Sequence, residues 1–270
     1  SYGTHGLSTF TMGANDGTYT YYSKLISGIQ NGAPDGFALH CQSNAAFQFL
    51  SYEGTFAATN GPANGQNSVD VGASQGGTNE PVGSSIQLVG GTWYSICSAN
   101  TRGLPNVLPQ VAIAPTDANK NEGNAGNTSF TFTVTRTGLL GATFTLNYAV
   151  TGSGANPADA ADFGGTFPSG MVSFAANETS KVITVLVSGD LTVEPDETFT
   201  TSITQNGGCA VQVTTGSSTG TILNDDMLPL PVISIAATDA TKNEGNAGTT
   251  NFLFTLTRTG DLSAASSVNY

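Results

Sequence analysis

Apolar and polar residues alternate along most of this chain in short runs. The clearest run covers residues 130–136, where Phe130, Phe132 and Val134 are separated by threonines. Successive side chains of a strand point to opposite faces of a sheet, so this alternation predicts β-strands with one buried face. No stretch keeps the period of a helix, and the pattern therefore predicts an all-β protein.

Turn residues separate the alternating runs at a spacing typical of β-sandwiches. In the first region the pattern predicts a long surface loop at residues 59–80 and strands at 7–12, 18–22, 37–41, 47–52, 85–89 and 93–97. Further along it predicts strands at residues 130–136, 144–150, 181–187, 197–203 and 220–223.

Part of the sequence occurs twice. The seven residues that begin at Lys120 return unchanged at Lys242, and the match continues in step as far as Tyr148 and Tyr270. The period of 122 residues suits a small domain and is too long for a solenoid repeat. The sequence thus divides into a first region at 1–107, a complete repeat at 108–228 and the start of a second repeat at 229–270.

The complete repeat resembles the Calx-β domain along its whole length. The motifs that carry the resemblance are Glu122-Gly123, Ala161-Asp-Phe163, Val172-Ser-Phe174, Glu178, Asp190, Glu194-Pro-Asp-Glu-Thr-Phe199 and Asn224-Asp-Asp226. The resemblance implies an immunoglobulin-like sandwich, which in this family often binds calcium at one end. The expected fold is therefore all-β, with tandem immunoglobulin-like β-sandwiches.

Residues 5–106 resemble the lamin-tail-type β-sandwich domain, which in bacteria accompanies extracellular nucleases and surface proteins. This resemblance is carried by residues 28–39, 48–56, 61–65 and 84–88. The family begins with further strands and an acidic Asn-Glu segment that are missing here. We therefore expect a first domain that is incomplete at its front.

The charge balance narrows the range of partners. The chain carries 7 basic and 19 acidic residues, for a net charge of -12. Nucleic acids and anionic membrane surfaces both need clustered Lys and Arg, so neither is an expected partner. No apolar run is long enough to span a bilayer, so no membrane insertion is expected. A sparse acidic surface favours a hard cation such as calcium.

The Calx-β resemblance assigns seven acidic positions to calcium: Glu122, Asp162, Asp190, Glu194, Asp196, Asp225 and Asp226. Calcium takes about six to eight oxygen ligands, and an ion relieves the repulsion of crowded carboxylates. The expected affinity is weak, with a Kd of ~10⁻⁴ to 10⁻³ M. The alternative is a solvated acidic rim without an ion, in which Asp196 and Glu197 accept hydrogen bonds from loop amides.

Two further motifs are set aside. Residues 117–123 are similar to an EF-hand loop but have no Gly at its sixth position, and Thr128 stands where Glu should close the loop, so a turn is predicted. Residues 72–76 and 216–220 match G-x-S-x-G, but a nucleophile elbow needs a following helix and none is predicted. His5 and His40 also lie upstream of both serines, so no enzyme is expected.

The three cysteines form no C-x-x-C motif, which argues against a zinc or redox site. Cys41 and Cys97 both end predicted strands of the first region, whereas Cys209 lies in the complete repeat. The sequence predicts a Cys41–Cys97 disulfide in an oxidising compartment, with Cys209 unpaired. Three buried thiols are the alternative.

The sequence favours a structural or adhesive protein of the cell surface or extracellular space, built from calcium-stiffened sandwiches. Other copies of itself or other surface proteins are the expected partners, and strands donated between copies would build a filament. One alternative is a non-catalytic accessory region of a secreted nuclease. Another is carbohydrate binding on Trp93 or on the cluster of Tyr19, Tyr21 and Tyr22, although core packing explains these aromatics equally well.

Overall fold

The computed structural model describes residues 5–24, 34–40, 46, 48–74 and 83–270. Within these ranges the regular structure is almost entirely β-strand, as the alternation predicts. Short 3-10 turns occur at Leu7–Thr9 and Ala161–Phe163. None of the described helical segments is long and apolar enough to cross a membrane.

The first region forms small sheets. Its strands are β1 (Thr11–Asn15), β2 (Thr20–Ser23), β3 (Asp35–Leu39), β4 (Gln48–Tyr52), β5 (Val69–Asp70), β6 (Ser85–Val89) and β7 (Thr92–Ile96). Strands β1 and β2 form one hairpin, β6 and β7 another, and β3-β4-β5 a three-stranded sheet. The predicted strand at residues 7–12 is wrong at its start, because Leu7–Thr9 is a 3-10 turn. The predicted loop at 59–80 contains β5 within its described part.

The complete repeat folds into a two-sheet sandwich. Its strands are β8 (Pro109–Asp117), β9 (Asn119–Asn121), β10 (Gly126–Gly138), β11 (Phe144–Ser153), β12 (Ser169–Phe174), β13 (Ser180–Gly189), β14 (Glu197–Gln205), β15 (Gln212–Thr215) and β16 (Ser217–Leu223). One sheet has the order β13-β10-β8-β15, and the other has the order β12-β11-β14-β16-β9. The predicted turn at residues 117–123 is wrong in part, because β9 pairs in parallel with β16.

Alternation along the strands builds the core of the sandwich. Phe130, Phe132 and Val134 on one face of β10 are completely buried, while the threonines between them lie toward solvent. The Phe199 ring from the opposite sheet meets Phe130 and Phe132 edge-on, with centroids 5.7 and 5.9 Å apart. The buried apolar surface is the main force that holds the two sheets together.

The second repeat begins with a hairpin of β17 (Val232–Asp239) and β18 (Leu253–Thr259). Its register, including the bulge, is that of β8 and β10 shifted by one repeat period. The apolar face differs in its surroundings: Phe132 is buried, whereas its counterpart Phe254 is 58% exposed. In the complete repeat the same face is covered by the second sheet.

Cys97 forms a disulfide with Cys209, and their Cα atoms lie 5.3 Å apart. The predicted Cys41–Cys97 bond is therefore wrong; Cys41 itself lies outside the described residues. The reason is that the β6–β7 hairpin sits on one end of the sandwich, next to the loop between β14 and β15. There the amide of Ala210 donates to the carbonyl of Ser95 at 2.9 Å, and Ile96 packs in a cluster with Leu108 and Ala142.

We call this end of the sandwich the capped pole; it consists of residues 139–142, residues 175–179 and residues 206–210. A buried arginine, Arg136, ties its loops together. The guanidinium donates to the carbonyl oxygens of Leu139, Ala142 and Ala175 at 2.6, 2.7 and 3.0 Å. It also lies over the Phe144 ring, 5.1 Å from the centroid. These bonds satisfy carbonyl groups that the turns leave without strand partners.

Arg136→Ala is expected to lower the free energy of unfolding by at least about 3 kcal/mol, because it removes the hydrogen bonds to three carbonyls, that of the buried Ala142 among them, and the contact with Phe144. The matched control is Arg258→Ala at the equivalent position of β18, where the guanidinium bonds Asp261 and is only half-buried. We expect the control to cost less than about 1 kcal/mol. Urea unfolding followed by circular dichroism measures both, and equal losses would contradict the role given to Arg136.

Candidate metal centre

Carboxylates from four separate segments meet at the end of the sandwich opposite the capped pole. We call this end the acidic pole. Glu122 follows β9, Asp162 lies in the Ala161–Phe163 turn, Glu194 precedes β14 and Glu197 begins it, and Asp225 and Asp226 follow β16. The strands run from one end of the sandwich to the other, so strand ends from both sheets meet here. Residues distant in sequence therefore become neighbours.

Glu122, Asp225 and Asp226 form the first group, in which each residue offers an oxygen within 4.8 Å of the others. Glu122 and Asp226 are only 4% and 6% exposed. The amide of Gly123 donates to Asp225 Oδ1 at 3.2 Å, and the Asn124 side chain donates to Asp226 Oδ1 at 2.9 Å. The strand ends therefore hold these carboxylates in place rather than leaving them to solvent.

One oxygen of this group is left without a partner. Asp226 Oδ2 is buried and accepts no hydrogen bond. An unpartnered buried carboxylate oxygen is costly, since burial removes its water and supplies nothing in exchange. A bound cation would satisfy this oxygen, and a solvated rim would not bury it.

Asp162, Glu194 and Glu197 form the second group, with oxygens again within 4.8 Å of one another. The amide of Asp159 donates to Asp162 Oδ2 at 2.6 Å, which fixes the Asp162 side chain in its 3-10 turn. The amide of Glu194 donates to the Asn224 side chain at 3.2 Å and so links this group to the segment that carries Asp225 and Asp226.

Asp190 lies beside the two groups but in neither of them. The amide of Thr192 donates to Asp190 Oδ1, and this bond lowers the pKa of Asp190. The preceding residue, Gly189, passes so close to the backbone that a Cβ there would clash with the carbonyl oxygen of Gly123. The chain can therefore carry no acidic side chain at position 189, and Asp190 is the acid that this strand end supplies.

The carboxylates of the acidic pole repel one another electrostatically. Burial, reinforced by the charges of Asp190 and Glu194, raises the pKa of Glu122 from 4.5 to about 7. Burial and the neighbouring Asp162 likewise raise the pKa of Glu197 to about 7. The pKa values of Glu194 and Asp226 are also raised, and in both burial is the largest cause. Ion pairs of the described residues, such as Lys120–Asp117, Lys181–Glu178 and Lys242–Asp239, involve none of these groups.

Two neighbouring residues take different roles from those expected of them. Asp196, predicted as a ligand, belongs to neither group; its Oδ1 accepts the amide of Asn224 at 3.0 Å, which is the alternative role considered for it. Glu197, considered only as an alternative acceptor for loop amides, is a member of the second group. The alternation of β14 could have shown this difference, because Glu197 shares the inward parity of the buried Phe199 and Asp196 does not.

The convergence of these segments at one end of a sandwich is the architecture that the sequence motifs indicate. Residues 110–226 match the family model of the Calx-beta domain. We refer to these residues as the Calx-beta unit. No curated protein sequence matches the chain.

Several solved structures are similar to part of this chain. The apo-form Calx CBD1 domain is 20% identical, with a TM-score of 0.36, and the match covers 44% of this chain and 100% of that one. CBD12 from CALX1.2 is 20% identical, with a TM-score of 0.34, over 43% of this chain and 46% of that one. The Calx CBD2 domain is 16% identical, with a TM-score of 0.32, over 42% and 86%. These likenesses are too distant to transfer a ligand to this chain.

Without calcium, the Tm of the protein should rise when the pH falls from about 8 to about 6. A carboxyl with a pKa raised by folding binds more protons in the folded state, so folding is favoured by acid in the range between its ordinary and its raised pKa. For Glu122 and Glu197 this range extends from 4.5 to about 7, so the Tm begins to rise as the pH falls through about 7. Carboxyls with a lowered pKa, such as Glu178, titrate in more acidic solution.

Differential scanning calorimetry in a chelating buffer measures this dependence. Glu122→Gln should reduce it and leave the part due to Glu197, because the amide keeps the shape of the carboxyl and carries no charge at any of these pH values. A native protein whose Tm stays constant or falls over the same interval would show that the carboxylates are solvated and do not repel one another.

Proposed function

We propose that the Calx-beta unit binds calcium at the acidic pole and that the bound ion stiffens the protein as a structural module. The observation that carries the proposal is the pair of buried and half-buried carboxylate groups, one of which includes the unpartnered Asp226 Oδ2. Oxygen ligands alone, without His or Cys, are the donor set of a hard divalent cation. Calcium accepts irregular arrangements of oxygen ligands, whereas magnesium demands a tight octahedron.

The two groups support two ion positions. Glu122, Asp225 and Asp226 would hold one ion, and Asp162, Glu194 and Glu197 the other. The charges of Asp162 and Glu194 raise the pKa of Glu122, so the two groups act on one another through space. A cation in either position would lower the cost of holding the carboxylates of the other group.

An ion at the first group would also act on the junction that follows it. Asp226 is the last buried residue before residues 227–231, where Met227 and Leu230 are largely exposed. Binding of Asp225 and Asp226 would fix the direction in which the chain leaves the sandwich. We propose that calcium in this way limits the bending between the Calx-beta unit and the β17–β18 hairpin.

Calcium titrated into the full chain should release or absorb heat and raise the Tm at millimolar concentrations, with a Kd of ~10⁻⁴ to 10⁻³ M. Glu122→Gln should weaken binding at least about tenfold, because it removes a buried charged ligand. Asp117→Asn is the matched control, since it changes the net charge equally but alters a side chain that is 62% exposed and paired with Lys120. Neither heat nor a thermal shift with the native chain would refute calcium binding.

The number of ions tests whether the two groups bind separately. Equilibrium dialysis at saturating calcium should give about two ions per native chain, and about one for either Glu122→Gln or Glu197→Gln. A native value of about one, abolished by both substitutions, would mean that the two groups share a single ion.

We propose that this module belongs to a structural or adhesive protein outside the cell or on its surface. The shortage of basic residues and the disulfide support this setting, because disulfides persist in oxidising compartments. Other copies of the chain or other surface proteins are the proposed partners, which the exposed apolar face of β17 and β18 supports. The accessory region of a secreted nuclease remains the second candidate; it requires a metal-dependent phosphodiesterase domain in the same gene product.

A further inference from the structure

The Cys97–Cys209 disulfide joins two points that are 112 residues apart in sequence. Between them lie strands β8 to β14, which hold almost all of the hydrophobic core of the sandwich. After Cys209 only β15 and β16 remain before the chain leaves at Asp226. The bond therefore closes a loop around most of the sandwich and leaves a short covalent route past it.

We infer that this bond is a mechanical bypass: tension along the chain crosses from Cys97 to Cys209, and residues 98–208 cannot be pulled out into an extended chain until the bond is reduced. Force that reaches β7 from the first region arrives at Cys97, crosses the bond and continues through β15 and β16. Residues 98–208 lie outside this route. The inference depends on the disulfide and the chain topology and makes no use of calcium.

The contacts around Cys97 hold the entry point of the force firmly on the sandwich. The side chain of Cys97 is buried, and the amide of Thr143 donates to its carbonyl oxygen at 3.1 Å. The Ser98 and Thr143 hydroxyls lie 3.1 Å apart and share a hydrogen bond. With the Ile96, Leu108 and Ala142 cluster, these contacts keep the β6–β7 hairpin seated on the capped pole.

Of the two strands on this route, β16 is pulled along its own axis. The force enters at the capped pole through Cys209 and leaves at the acidic pole through Asp226, so it runs along β16. Antiparallel ladder bonds lie perpendicular to their strands, and β16 pairs with β14 from Ser217 to Ile222. Tension along β16 therefore shears all these bonds together, whereas a pull across the strand would open them one at a time.

The chemistry of release is a two-electron reduction. A dithiol reductant supplies two electrons and two protons; its own sulfurs form a disulfide, and Cys97 and Cys209 become thiols. Cys209 is only partly buried, which gives the reductant access to one of the two sulfurs. After reduction, the same tension passes through every strand of the sandwich.

Stretching single molecules of the full chain between its two ends tests the bypass. At ~3.5 Å per residue, the closed loop hides roughly 390 Å of chain length. The oxidised Calx-beta unit should extend by no more than the residues after Cys209, roughly 60 Å. Dithiothreitol should lengthen the fully stretched chain by roughly 390 Å, and Cys209→Ser should show the longer length with or without the reductant.

The stretched length identifies the bond even for a variant that folds poorly, because it is read from the unfolded chain. A gain of roughly 200 Å on reduction would mean that Cys41 pairs with Cys97, and would overturn the inference. Equal lengths before and after reduction would overturn it as well, since no loop would then be closed. The same lengths are expected with calcium and with a chelator, so a failure of calcium binding leaves this test unaffected.

Discussion

The dominant constraint on this structure is the set of carboxylates held together at one end of a rigid sandwich. Burial and mutual repulsion raise the pKa of Glu122 and of Glu197 to about 7, so at neutral pH these groups oppose the fold that positions them. Completely buried core residues such as Phe130 and Phe199 supply the stability that keeps the strand ends fixed. The empty site lowers the stability of the fold because its carboxylates repel one another. A cation that binds there removes this repulsion and therefore has a large structural effect.

The two ends of the sandwich handle polar groups in opposite ways. At the capped pole, Arg136 donates to carbonyl oxygens and the Cys97–Cys209 bond holds the neighbouring hairpin, so this end is satisfied from within the chain. At the acidic pole, Asp226 Oδ2 is buried without a donor from the chain. Contacts within the chain fix the capped pole. The acidic pole, where the chain continues toward the next hairpin, responds instead to cations and protons.

The sequence predicts the strands well and the long-range pairing poorly. The alternation around Phe130 and Phe199 indicates which faces are buried, because a half-buried strand must place every second side chain in the core. Five of the six carboxylates in the two groups stand at positions that the Calx-β resemblance assigns, and the sixth, Glu197, does not. Cys209 was missed as the partner of Cys97 because no local pattern shows that the β6–β7 hairpin sits on the capped pole. The exclusion of a side chain at Gly189 was also invisible, since it arises from a backbone contact between distant segments.

The coupling between calcium and protons tests the central claim most directly. Calorimetric titration of calcium at about pH 6.5, in buffers with different ionisation enthalpies, counts the protons released on binding. If Glu122 and Glu197 are ligands with raised pKa values, binding should release protons near this pH and almost none at about pH 8.5, where both are already ionised. Calcium binding with no proton release at either pH would place the ion away from these carboxylates and contradict the account.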